Sequence, residues 1–189
     1  ARQSQIVELQ RDEVRLEDRA AKSSVISAEG KKIGVINIRS FYNNLHLDVI
    51  KELEKLKKQK VDGILIDLRD NGGGALSEAT DLTGLFIKSG PVVQVRDSIG
   101  RVAVEEDTDG KSYYSGPLTI LINRYSASAS EIFSAALSDY GRALIVGDTT
   151  YGTGTVQQNR PLKNIYDFYD KELGNVQYTI AKFYRINGG

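Results

Sequence analysis

Two short apolar runs, Ile64 to Leu68 and Leu118 to Ile122, each break off into small or polar residues and lead into an amphipathic segment, and this arrangement decides the fold class. A short apolar run bounded by turn residues is a buried strand, and the longer amphipathic stretch after it is a helix. Strands alternating with helices predict an α/β fold, a layered sheet flanked by helices. The first run passes through Arg69-Asp70-Asn71 into Gly72-Gly73-Gly74 and then an amphipathic run from Ala75 to Ile87. The second passes through Arg124-Tyr125 into Ser126-Ala127-Ser128-Ala129-Ser130-Glu131 and a helix closed near Asp139 by Gly141. Strand-to-helix turns are the usual place for a site in an open α/β sheet, so both turns are functional candidates.

The remaining pattern fills in around these units. Lys32 to Ile38 reads as a strand, and His46 to Lys60 as a surface helix with Val49, Ile50, Leu53 and Leu56 on one face. Val92 to Val95 and Arg101 to Glu105 flank Asp97-Ser98-Ile99-Gly100 as a hairpin. Ala143 to Val146 reads as a buried strand and Val176 to Arg185 as a long final one. Before them lies a short N-terminal β lead-in, with Gln5 to Gln10 and Asp12 to Glu17 forming a hairpin and Ala20 to Gly30 small and polar. The expected division is therefore a lead-in over 1–30 and one core over 31–189. A chain of 189 residues buries one sizeable core with little left over.

Composition removes several function classes. Lys plus Arg and Asp plus Glu both number 25, so no basic stripe argues for nucleic acid. No apolar run is long enough for a membrane span. The absence of cysteine excludes thiol catalysis and thiolate-held zinc, and a single histidine, His46, argues against a histidine-based metal site. The glycine turn lacks the Gly-Lys-Ser/Thr and G-x-G-x-x-G signatures of nucleotide sites, so no cofactor is expected.

A serine at the start of a helix sits beside free backbone N–H groups that can hold a developing oxyanion, which makes Ser128 a candidate nucleophile. The same residues also spell a capping box, Ser128-Ala129-Ser130-Glu131, in which the serine only closes the helix. Likewise the glycine run is either an amide-presenting loop or a plain tight turn. Local pattern leaves both pairs of readings open.

These two segments resemble those of the tail-specific, or carboxyl-terminal processing, proteases. In that family the middle serine of Ser-Ala-Ser-Ala-Ser-Glu is the nucleophile, which is Ser128 here. A similar Asp-Leu-Arg-x-Asn-x-Gly-Gly segment supplies a glycine amide that joins the amide after the serine as the oxyanion hole, which maps to Gly73 and Ala129. The family's general base is a lysine twenty-five positions beyond the serine, in Gly-Lys-Gly-Thr-Val-Gln; this chain reads Gly152-Thr153-Gly154-Thr155-Val156-Gln157. The resemblance also attaches an active-site aspartate to Asp139, whose expected charge partner is Arg142, and places a glutamine, Gln157, near the base. It runs from about Val14 to Gly189, taking in Arg15-Leu16-Glu17-Asp18-Arg19-Ala20 and Val176-Gln177-Tyr178-Thr179.

The resemblance implies a crotonase- and Clp-protease-like core, a preceding PDZ domain in the full-length chain, an exported, periplasmic or other extracytoplasmic setting, and protein substrates with apolar, unstructured C-terminal tails. It implies a Ser/Lys dyad whose lysine position holds Thr153, either as an engineered change or as the native residue. A threonine hydroxyl is no more basic than the serine it would activate, whereas a lysine amine can be lowered from about 10.4 toward 7 by burial. His46 is expected on the surface, and Lys111 and Lys163 lie near enough in sequence to be named as substitute bases. The expectation is thus a serine endopeptidase inactive in this form. The alternatives are a non-catalytic peptide-binding pseudoprotease and a crotonase-like acyl-thioester enzyme.

Overall fold

The computed structural model describes residues 19–164 and 173–189. The hairpin expected within 5–17 and the motif at Arg15 to Asp18 lie outside the described residues. The elements are β1 (Lys22–Ala28), β2 (Lys31–Asn37), α1 (Leu45–Lys58), β3 (Gly63–Asp67), α2 (Leu76–Gly84), β4 (Gly90–Asp97), β5 (Val102–Asp107), β6 (Leu118–Ile122), α3 (Ala129–Asp139), β7 (Leu144–Gly147), β8 (Thr155–Pro161) and β9 (Asn175–Tyr184). The strands form two sheets. One has the order β1-β2-β3-β6-β7, and the other β5-β4-β9-β8.

In the first sheet β2, β3, β6 and β7 run parallel, linked through α1, α2 and α3. Parallel strands covered by helices read as continuous apolar runs, and the central ones here do: Ile64, Ile66, Leu118 and Ile120 are all buried. α1 turns Leu45, Val49, Leu53 and Leu56 inward, a 3.6-residue stripe, and leaves its lysines in solvent. Phe133 on α3 packs tilted against Phe41 at 6.2 Å and edge-on to Phe86 at 6.0 Å, joining α3 to the segments before α1 and after α2.

Residues 22–28, expected as lead-in, are part of this sheet. β1 pairs antiparallel with β2 along its whole length and is tied to α1, since the Ser23 N–H and hydroxyl both donate to Glu52 at 3.0 and 2.5 Å. The sheet therefore continues across position 30. β7 is a correction: expected as buried, it is the opposite edge strand, and Leu144 is 65% exposed because only β6 flanks it.

Candidate active site

β3 and β6 are adjacent parallel strands, so the loops leaving their C-terminal ends meet. Their meeting is secured by the two outer serines. The Ser126 hydroxyl donates to the Leu68 carbonyl at 2.8 Å while accepting the Asn123 N–H at 3.0 Å, and the Ser130 hydroxyl donates to the Asn71 carbonyl at 3.0 Å. Both serines are fully buried. The Ala127 N–H adds a third bond to the Asn71 carbonyl at 3.0 Å.

Ser128, between them, stands differently. Its backbone lies at φ 54 and ψ −117, a region that L residues rarely occupy and that costs on the order of 1–3 kcal/mol. It stands at a sharp turn between β6 and α3, a type of junction at which a side chain can be presented away from its own backbone. Both halves of the capping box are in position, and the Glu131 carboxylate accepts the Ser128 N–H at 2.8 Å. The Glu131 N–H, however, donates to the Ser128 carbonyl oxygen at 2.8 Å, which leaves the hydroxyl a second acceptor at most.

Ser128 borders a cavity of about 280 Å³ whose wall includes Gly74, Ala129, Ile132, Val156, Gln157 and Phe183. Ala129 begins α3, so its N–H is one of the helix's orphan donors and points with the helix dipole. On the facing turn Gly73 lies at φ 95, and a Cβ there would fall 2.7 Å from the Ala127 carbonyl oxygen and 2.8 Å from the Ser128 Cβ. Only glycine lets the two loops approach this closely. The Gly73 N–H donates to Asn71 Oδ1 at 2.9 Å, and Gly74 is the glycine that lines the cavity.

Asn71 holds this turn from within. It is fully buried, its Nδ2 donates to the Ile38 carbonyl at 2.8 Å, and its Oδ1 takes the Gly73 N–H. Phe41 fixes the other side, donating its N–H to the Gly73 carbonyl at 2.9 Å and accepting the Ala75 N–H at 2.8 Å.

Glu131 joins the third loop to the site. Its carboxylate accepts the Gly152 N–H at 2.6 Å and the Thr153 N–H at 3.1 Å besides that of Ser128. Burial pushes this carboxyl up, but the bonds from the Thr153 and Gly152 N–H groups, the Thr150 hydroxyl and the Ser128 N–H outweigh it and hold the group below its ordinary value. The Tyr151 N–H donates to the Ser126 carbonyl at 3.0 Å, and Arg124 Nη1 reaches the Thr150 carbonyl at 2.7 Å. Position 153 is thereby half-buried and delivered to the serine turn by its backbone.

The structure thus brings together Ser128, Ala129, the glycine turn, Thr153 and Gln157. Gln157 borders the cavity and donates its side-chain amide to the Thr155 hydroxyl at 2.6 Å, along its own strand. Asp139 is elsewhere. It ends the eleven-residue α3, which at 1.5 Å per residue puts it roughly 16 Å along the axis from Ser128. Its partner is Arg185 rather than Arg142: Arg185 Nε donates to Asp139 Oδ2 at 3.1 Å and Nη2 donates to Oδ1. Arg142 instead donates to the carbonyls of Phe86 and Tyr114, at 3.0 and 2.8 Å. His46 lines a separate cavity beside Asp81 and Asp107. Lys111 and Lys163 do not border the Ser128 cavity.

Asn71 and Glu131 are the organising residues that motif reading left without a role. Glu131 was visible only as a cap, although a carboxylate at a helix start has a second oxygen to offer. Asn71 stood inside the glycine motif, with nothing in the sequence to tell that it would be buried.

Comparison with known proteins places this arrangement. The profile of Peptidase family S41 matches residues 32–189. The chain is 57% identical over 186 residues to the tail-specific protease of Haemophilus influenzae, covering 98% of this chain and 27% of that protein. It is 31% identical over 188 residues to the carboxy-terminal processing protease CtpB of Bacillus subtilis, covering 95% of this chain and 35% of that one. Among solved structures, the photosystem II D1 C-terminal processing protease superposes with a TM-score of 0.74 at 28% identity, covering 89% of this chain and 44% of that chain. The expected layered α/β fold of the Clp-protease type is the fold of these structures. The chain spans about a quarter to a third of the length of the curated relatives it matches.

Proposed function

The chain belongs to peptidase family S41, and from that premise we propose that it carries the nucleophile half of a Ser/Lys peptidase site whose base position is held by Thr153. One observation carries the reading. Of three serines in a row of alternating alanines, two are buried and spent on tying loops together, while Ser128 alone is held in a strained turn beside a cavity and a helix-start amide.

The chemistry follows from that placement. The Ser128 oxygen attacks the carbonyl carbon of a peptide bond, and its proton must pass to a base as the carbon–oxygen bond forms. The carbonyl oxygen becomes an oxyanion, and the Ala129 N–H together with an amide of the Gly73-Gly74 turn would receive it. A lysine amine at 153 would take the serine proton and return it to the leaving amine, breaking the carbon–nitrogen bond. With threonine there, the chain is expected to bind substrate without turning it over.

The Haemophilus relative is a tail-specific protease, and the proposed substrates are proteins with apolar, unstructured C-terminal tails. A PDZ domain in the full-length protein and a periplasmic or other extracytoplasmic setting belong to the same reading. Among the described residues no helix is long and apolar enough to cross a membrane. Cleavage of such a tail by a Thr153→Lys variant, against none by the parent, tests the proposal.

A pseudoprotease is the second reading, and the loop geometry favours it specifically. Residue 153 reaches Glu131 through its backbone N–H, and its loop is held further by the Tyr151 and Gly152 N–H bonds and by Arg124, so none of these contacts needs a lysine side chain there. Tight binding of an apolar-tailed peptide by both the parent and the Thr153→Lys variant, without cleavage by either, would establish it.

A further inference from the structure

Outside the serine site, the chain's one histidine sits in a cluster for which the proposed peptidase chemistry has no use. We propose that His46, Glu78 and Asp81 form a site for a divalent transition-metal cation of the zinc type, clamping the start of α1 to α2. Their ligand atoms all lie within 4.8 Å of one another, with His46 Nδ1 2.9 Å from Glu78 Oε2 and 3.8 Å from Asp81 Oδ2. A tetrahedral ion with bonds of about 2.0–2.1 Å spaces its ligand atoms by roughly 3.3 Å. The observed separations straddle that figure.

The donor set selects the ion. One imidazole with two carboxylates and no thiolate suits zinc and its neighbours better than calcium or magnesium, which take oxygen ligands. Two carboxylates match a double positive charge, and three protein ligands leave the fourth position to water. Coordination through Nδ1 puts the imidazole proton on Nε2, where the ring stays neutral.

Glu78 is already oriented for the task. It is 5% exposed, and it accepts the Asn44 N–H on Oε1 at 2.5 Å and the His46 N–H on Oε2 at 3.1 Å. Such outer bonds fix a carboxylate ligand before the metal arrives. Asp81, half exposed, opens the site to solvent.

A second observation points the same way. His46 and Asp81 line a cavity of about 360 Å³, and Asp107 lines it with them. Asp107 Oδ2 is buried and has no hydrogen-bond partner among the described residues, while the Asp109 N–H serves the carboxylate of this part-exposed residue. A buried carboxylate oxygen without a donor is unfavourable, and a cation held in the adjoining cavity offsets that. The clamp also bears on the serine site, since α1 and α2 begin at the two ends of the Phe41 to Gly73 and Ala75 backbone bonds.

The test is calorimetric titration of the EDTA-treated chain with Zn²⁺, alongside the visible absorption of Co²⁺ added in its place. One ion per chain is expected, and His46→Gln and Asp81→Asn should each weaken it at least about tenfold and remove the Co²⁺ bands. Both positions reach solvent, and circular dichroism confirms that the variants are folded. Asp62→Asn, an exposed carboxylate at the β2–β3 edge, should change nothing. Absence of saturable Zn²⁺ binding by the parent, or equal binding by folded His46→Gln, overturns the site and leaves the histidine as a helix-start hydrogen bond. Neither result depends on peptidase activity, so the site stands or falls apart from the proposed function.

Discussion

Ser128 and Thr153 donate their backbone N–H groups to the same carboxylate oxygen, Glu131 Oε2, at 2.8 and 3.1 Å. The relationship is made entirely of main chain on the side of the two partners. It therefore does not depend on which side chain stands at 153, proline excepted, and the loop rests against the serine turn with threonine in place.

Restoring the amine is the most direct check. Thr153→Lys should raise cleavage of an unfolded, apolar-tailed substrate by on the order of 10⁴ to 10⁶, the usual loss when a serine enzyme lacks a member of its catalytic group. Ser128→Ala in the lysine background should erase the gain. Ser126→Ala should instead lower stability by about 1–3 kcal/mol, because the Leu68 carbonyl and Asn123 N–H lose their buried partner. Turnover assays and thermal melts on the same preparations separate the two effects.

Gly73→Val in the lysine background should lose both stability and turnover. Its Cβ would meet backbone at 2.7 and 2.9 Å, and the residue must adopt a positive φ that valine resists. Displacing the amide donors should reduce turnover by roughly a hundredfold to a thousandfold. Turnover matching that of the glycine parent, measured where the variant is fully folded, would remove this turn from the mechanism.

Glu131 makes stability depend on pH with a definite sign. Its folded carboxyl titrates below the ordinary value of 4.5, so the folded state favours the charged form. The stabilisation is complete above the ordinary range and disappears as pH falls through the folded value. Glu131→Gln should melt earlier than the parent at neutral pH by about 1–2 kcal/mol, allowing for its solvent-facing side, and the two melting curves should converge in acid. Parallel curves at all pH values would contradict this.

Asp139→Asn should act on structure first. It leaves Arg185 without its carboxylate, and because that arginine is 46% exposed the loss is about 1 kcal/mol. Hydrogen exchange should show the C-terminal end of β9 opening more readily, while the amides of the Ser128 turn keep their protection.

What sequence reading recovered and missed divides along physical lines. α1, α3 and the central strands β3 and β6 were legible because burial forces an apolar period on them. β8 was not: Gln157-Gln158-Asn159-Arg160 is polar and exposed, and its place comes from main-chain pairing with β9. β7 misled in the opposite sense, since Leu144-Ile145-Val146 has the composition of an interior strand and the position of an edge. The pairing of Asp139 with Arg185 joins residues 46 positions apart, and no local pattern carries such a contact. Ser128, Ala129 and the glycine turn were singled out from motif resemblance and helix-start chemistry and lie together in the structure, whereas the spare oxygen of Glu131 became visible only when the 150–154 loop was seen resting on it.

The second sheet gives the serine's cavity an order of assembly. Phe183, part of that cavity's wall, arrives with β9, which docks on β4 through pairings such as Gln94 with Tyr184, about ninety positions apart, a large loop to close. The β2-α1-β3 unit and the β6-α3-β7 unit close over shorter spans and can form first. On dilution from denaturant, helical circular dichroism should therefore recover ahead of the quenching or shielding of a probe placed at Phe183. A partly refolded molecule would hold Ser128 on a finished helix facing open water.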